Sequence, residues 1–304
     1  MKNLIRNSLR FGSAGLCLLF SLLPNRAGAT LTTWDPQGTT GSNPYLNSMS
    51  GTWESALWST SQTGQATPQN WVENTAALFA VHTGTGTPAF TVTMNANHTV
   101  AGVFDGPLTP NPCPVTIQGT GTMILPTGLD AFAVSSDSGN PGSLTINNVL
   151  AGPGTLNAQW NGQLYLNAVN TYTGGTQLGY TSNPFYGTIS FNNSASFGTG
   201  GIIISNCPLG GALVAEGGSA ITIANSFKVG QTNATYSQTL NLIGNPAGLT
   251  FSGPWNLGGF TPNIGSGGSG NLVILSGVIS GSGSGFNKFN PGIQIGRASC
   301  RERV

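Results

Sequence analysis

Leu164 to Leu178 reads LYLNAVNTYTGGTQL. Leu164, Tyr165 and Leu166 open with period-two alternation, Asn167 to Asn170 make a polar corner, and Thr171 to Thr176 hold a Gly174-Gly175 turn before the apolar Leu178. One short strand, one corner and one tight turn cannot bury an apolar face alone, so the unit makes physical sense only when copies stack on it. Leu144 to Asn157 (LTINNVLAGPGTLN) and Leu272 to Gly285 (LVILSGVISGSGSG) repeat the same outline.

Apolar-x-apolar triplets recur through most of the chain, among them Val92–Met94, Val115–Ile117, Ile189–Phe191, Ile202–Ile204, Leu240–Leu242 and Leu249–Phe251. Many lie about 20 residues apart, the length of one solenoid coil. The fold class expected is all-β: a right-handed parallel β-solenoid, with an irregular, aromatic-rich N-terminal cap. In it, the outer two residues of each triplet point inward. Asn148, Asn167, Asn193, Asn206, Asn225 and Asn245 follow triplets and are expected to supply corner backbone angles. At about 20 residues per coil the exported part would form a rod on the order of 60 Å long. Trp71–Ala80 carries a weak helical pattern close to Pro68 and is assigned to neither state.

NTYTGGT after an alternating strand resembles the autotransporter-associated β-strand repeat of large bacterial surface and secreted proteins. The resemblance covers Pro141 to Gln294, and TWDPQG at Thr33 to Gly38 with its spaced tryptophans is similar to the start of such proteins. It implies a passenger-type solenoid at the cell surface or outside the cell, with a structural or adhesive role. It also implies surface glycans or other cells as partners, and brings no catalytic residues.

Residues 1–29 have the pattern of an export signal. Lys2, Arg6 and Arg10 precede the apolar Gly15–Leu23, too short to span a bilayer, and Ala27-Gly28-Ala29 offers cleavage between Ala29 and Thr30. Residues 30–140 are assigned to the cap and first coils, and 141–294 to the repeat region. Residues 295–304, IGRASCRERV, back-translate to a common sequencing adapter and are read as foreign to the natural chain, which is expected to continue past Gln294. Membrane attachment is expected only through such a further C-terminal region.

Without both ends, Lys228 and Lys288 are the only basic residues against seven acids, a net charge of −5. Two cations cannot neutralise a row of phosphates, which excludes nucleic acid and anionic lipid as partners. Short alternating apolar runs distinguish this Gly-, Ser-, Thr- and Asn-rich chain from a disordered linker.

Trp34, Trp53, Trp58 and Trp71 cluster in the irregular start. Clustered aromatics are usually core, and the first coil of a solenoid needs its open edge covered, so capping is expected. The sharper alternative is a platform on which sugar rings stack. Cys113 and Cys207 remain once the ends are set aside; they are read as two separate buried or corner thiols, with a disulfide across 94 residues as the alternative. The acids Asp35, Glu54, Glu73, Asp105, Asp130, Asp137 and Glu216 are scattered and are read as corner residues, with no catalytic pair assigned. A carbohydrate-active or carbohydrate-binding β-helix is the second function class. His82 and His98 lack ligand spacing, so no metal is expected. GSGGSG at Gly265–Gly270 precedes a strand instead of following one, so no nucleotide or other cofactor is expected.

Overall fold

The computed structural model describes residues 30–36, 50–61, 66–79, 89–106, 113–137, 140–180, 183–208, 210–230, 238–265, 272–281, 285–289 and 293–295. These form strands and turns, with no helix among the described residues. Thr75–Phe79, inside the stretch with the weak helical pattern, is a strand with all five side chains buried. The export signal lies outside the described residues, as do His82 and residues 296–304.

Each coil is three-sided. One side is a ten-stranded ladder running from Gly51–Thr52 and Phe90–Thr93 through Ser143–Ile146, Gln163–Leu166 and Thr188–Phe191 to Asn287–Phe289. Every pairing along it is parallel. A second ladder runs from Leu31–Trp34 through Thr75–Phe79, Thr155–Gln159 and Thr176–Leu178 to Ile279–Ser280. Shorter strands make the third side, such as Ile221–Ile223 paired with Leu249–Phe251. The chain is therefore a parallel β-solenoid. Its core is the stacked inward residues of the triplets: Leu164 and Leu166 are buried while Tyr165 between them faces out.

Coil length departs from the 20 residues expected. Leu144 pairs with Leu164 after 20 residues, but Leu164 pairs with Ile189 after 25 and Val115 with Leu144 after 29. Triplets that look consecutive in sequence lie on different sides: Ile202–Ile204 belongs to the second ladder and Ile221–Ile223 to the third side. Leu272–Gly285 is likewise out of phase with Leu164–Leu178, because Val273–Leu275 stacks on Leu249–Phe251 of the third side. Longer coils make a shorter rod: ten strands span nine steps of about 4.8 Å, about 43 Å in place of 60 Å.

The corner asparagines also act differently from expectation. Among the described residues other than glycine, only Asn74 and Trp160 have left-handed φ, so none of the six corner asparagines contributes an unusual backbone angle. Five of the six use their side-chain amides to donate to carbonyls one coil back or two. Asn225 Nδ2 lies 2.6 Å from Gly200 O, Asn245 Nδ2 2.7 Å from Ser219 O, and Asn148 Nδ2 2.8 Å from Gly121 O. Corner carbonyls turn away from the strand ladders, and an inward amide satisfies them where water is excluded.

Asn170 in the opening stretch does this in both directions. Its Oδ1 accepts from Leu150 N (2.8 Å) in the coil before, and its Nδ2 donates to Ser196 O (2.7 Å) in the coil after. Asn170→Ala leaves a buried donor and a buried acceptor unpaired, and chemical denaturation should show a loss of about 2 kcal/mol. The turn that follows is stacked glycine. A Cβ on Gly174 would sit 2.4 Å from Gly154 O, and one on Gly175 (φ 86°) 2.3 Å from Gly201 O.

Candidate functional site: the capped end

The first coil is closed by a reversal of direction. Trp58–Ser59 pairs antiparallel with Leu31–Trp34, so the outermost strand of the second ladder cannot template another parallel coil. Beneath it lie the four tryptophans. Trp34, Trp53 and Trp58 have no exposed surface and Trp71 only 8%. Ring centroids are 4.6 Å apart for Trp53–Trp58, 4.7 Å for Trp58–Trp71 and 5.0 Å for Trp34–Trp58, and Trp58 Nε1 donates to Trp53 O at 2.7 Å. These indoles plug the end of the core. A sugar-stacking platform needs an open ring face, and this cluster leaves none.

At the rim of the plug the coils assemble three residues that are far apart in sequence. His98 lies between two carboxylates, its Nδ1 2.7 Å from Glu73 Oε1 and its Nε2 3.5 Å from Glu54 Oε1, and its ring is stacked on Trp53. Glu54 Oε1 accepts from Asn95 N and Ala96 N at 2.7 Å each, and Glu73 Oε2 from Thr99 N at 2.5 Å. Both carboxylates therefore hold the end of one coil onto the next. Burial opposes ionisation of Glu54, but the backbone N–H groups of Ala96, Glu54 and Asn95 and the charge on His98 outweigh it and keep its pKa below 4.5. A proton-donating acid in glycoside hydrolysis needs the opposite shift.

Two of the remaining acids depart from the corner reading: Asp105 and Asp130 lie within strands and are buried. Asp35, also buried, directly follows Leu31–Trp34, and Glu216 directly follows Gly211–Ala215. Burial raises Asp105 well above the usual carboxylate value. Glu216 accepts from Ser190 Oγ at 3.0 Å on the outer face of the first ladder, and the side chain of Asp137 lies outside the described residues. Among the described residues, no group of three or more His, Cys, Asp or Glu side chains is placed to hold a metal ion.

Cys113 and Cys207 are buried, and neither is in a disulfide. They flank strands four ladder steps apart, about 19 Å along the axis. A disulfide requires Cα atoms within about 7 Å, so the cross-link alternative fails geometrically. Burial, with the charge of Asp105 second, pushes Cys113 up to about 11; burial pushes Cys207 up to about 12 against a hydrogen bond from Gly211. Both stay protonated and unreactive at neutral pH.

Comparison with known proteins gives one informative relative. The chain is 30% identical, over 238 residues, to the adhesin BmaC autotransporter of Brucella suis biovar 1 (strain 1330). The similar region is 74% of this chain. The chain is a parallel β-solenoid similar to a segment of that autotransporter adhesin. The chain spans about 6% of the length of the curated relative it matches. No family model matches it, and no solved structure does.

Two acids should give the solenoid opposing pH responses. Glu54 has a depressed folded pKa, so its contribution is present above its unfolded value of 4.5 and is lost as pH falls through the folded one. Asp105 has a raised pKa, so the cost of burying it appears as pH rises above 3.8. In thermal scans from pH 3 to 7, Glu54→Gln should lose about 0.5–1 kcal/mol at neutral pH and little in acid. Asp105→Asn should gain at neutral pH relative to acid. Parallel shifts of both variants at every pH would contradict these assignments.

Proposed function

We propose that the segment is a non-enzymatic, exported part of an adhesive surface protein, and that its coils form a stiff stalk carrying adhesive surface. The similarity to an autotransporter adhesin is the observation that carries this reading. The solenoid supports it, since each coil rests on the last and the array is rigid without a compact globular core. So does the sequence of the exported part, where trypsin finds only Lys228 and Lys288 to cleave. The engagement of Glu54 and Glu73 in backbone hydrogen bonds supports a non-catalytic role for the two acids that flank His98.

The test coats beads with residues 30–294 and measures attachment to cultured cells and to extracellular matrix, against beads carrying albumin. Attachment several-fold above the control is expected, together with no release of reducing ends from a polysaccharide panel. Attachment equal to the control overturns the adhesive reading. Release of reducing ends that disappears in Glu54→Gln or Glu73→Gln establishes the carbohydrate-active alternative.

A further inference from the structure

Five of the six tryptophans are buried; Trp160 alone keeps part of its surface exposed. It is also one of two non-glycine residues with left-handed φ among those described, at 67°. For a bulky side chain that conformation costs about 1–2 kcal/mol. Its effect is directional. Leu156 and Ala158 point into the core, and continued alternation would carry Trp160 inward as well. The left-handed turn instead lays the indole outside the main core, partly buried against a second, smaller apolar cluster that includes Leu78, Ala133 and Phe104, with the Trp160 and Phe104 centroids 6.1 Å apart.

The next coil brings further aromatics to the same corner. Tyr186 is 37% exposed and its N–H donates to Trp160 O at 3.0 Å. Tyr180, partly exposed, begins a tight turn closed by reciprocal backbone bonds with Asn183, one residue after Gly179 N donates to Ala158 O. The corner leads onto the outer face of the first ladder, where Gln163 pairs with Thr188 and its Oε1 accepts from Tyr165 OH at 2.8 Å. From Leu156 to Leu166 and from Thr176 to Ser190 the sequence has no charged residue or histidine.

We propose that this corner binds a neutral oligosaccharide, with sugar rings stacked on Trp160 and Tyr186 and hydroxyls hydrogen-bonded along Gln163 and Thr188. Aromatic rings flanked by amides and hydroxyls match the two surfaces of a pyranose, its apolar C–H face and its hydroxyl edge. The charge on this face, Glu216 against Ser190, is negative and disfavours a sialylated or sulfated sugar. This ligand assignment rests on the adhesive reading and gives it a chemical class.

Residues 30–294 are titrated with cellohexaose, maltohexaose and a hexamer of N-acetylglucosamine, with a sialylated hexasaccharide as control. Because the other indoles are buried, iodide quenching reports chiefly on Trp160. At least one neutral probe should protect that fluorescence, with affinity falling at least tenfold in Tyr186→Ala. Trp160→Gly, which removes the reporter indole and relieves the left-handed strain, should abolish binding read by titration calorimetry while retaining the circular dichroism of the parent. No protection by any neutral probe, tighter binding of the sialylated control, or binding unchanged in both variants would overturn the proposal. If the beads attach to cells and both variants attach equally well, the adhesive reading stands and this site falls. If the parent beads do not attach, the adhesive reading falls whatever the titrations show.

Discussion

Trp58→Ala should destabilise the first coils by about 3–5 kcal/mol while leaving the distal coils folded. Trp58 has no exposed surface, and its ring lies within 5.9 Å of those of Trp34, Trp53, Trp71 and Phe79. It also belongs to the antiparallel strand that closes the second ladder. Removing the indole opens a cavity under the cap and loosens the strand that blocks the edge. A solenoid's stability is close to a sum over neighbouring coils, so the damage should stay near the site. Hydrogen exchange tests this directly: amides of Thr75–Phe79 should exchange far faster in the variant, while those of Leu240 and Leu242 keep their parent rates. Uniform acceleration along the chain would show that the cap is coupled to the whole rod.

Gly175→Val should have a comparable effect in the middle of the rod. The new Cβ would sit 2.3 Å from Gly201 O, the acceptor of the Thr176 N–H, at a φ of 86° that valine adopts only under strain. Backbone strain of about 1–2 kcal/mol adds to the loss of one inter-coil hydrogen bond and a forced separation of the coils, at least about 3 kcal/mol together. Thr173→Val is the control: Thr173 is exposed on the same turn, and its replacement should change stability by no more than about 0.5 kcal/mol. Urea unfolding of the three proteins decides the matter. A Gly175→Val midpoint equal to that of the control would mean that the turns do not stack as described.

The strand character of this chain was legible because alternation is local. Leu164, Tyr165 and Leu166 announce an inward-outward-inward strand whatever lies above or below them. Coil length was less legible, because triplets from all three sides look alike in sequence and only pairing tells them apart. The pairing of Leu144 with Leu164 is a true 20-residue coil, whereas the similar spacing from Ile202 to Ile221 joins two different sides. The Glu54–His98–Glu73 clasp could not be found by spacing, since the 25 residues between Glu73 and His98 have meaning only once coil length is known. Nor does a sequence reveal that Trp160 takes a left-handed φ. One available signal was that it lies outside the N-terminal cluster, in a uniformly uncharged stretch. The asparagines were located correctly as corner residues, but their work is done by the side-chain amide, as Asn170 shows most fully.

Spin-label distances along one outer row test the solenoid most directly. Thr91, Thr116, Thr145, Tyr165, Ser190 and Val214 are successive partners in the first ladder, so 123 residues of chain advance only five steps. Labels at Thr91 and Val214 should report a narrow distribution centred at about 24 Å, and labels at Thr116 and Val214 one about 5 Å shorter. A broad distribution beyond 40 Å, or equal distances for the two pairs, would contradict the stacked parallel coils on which the account depends.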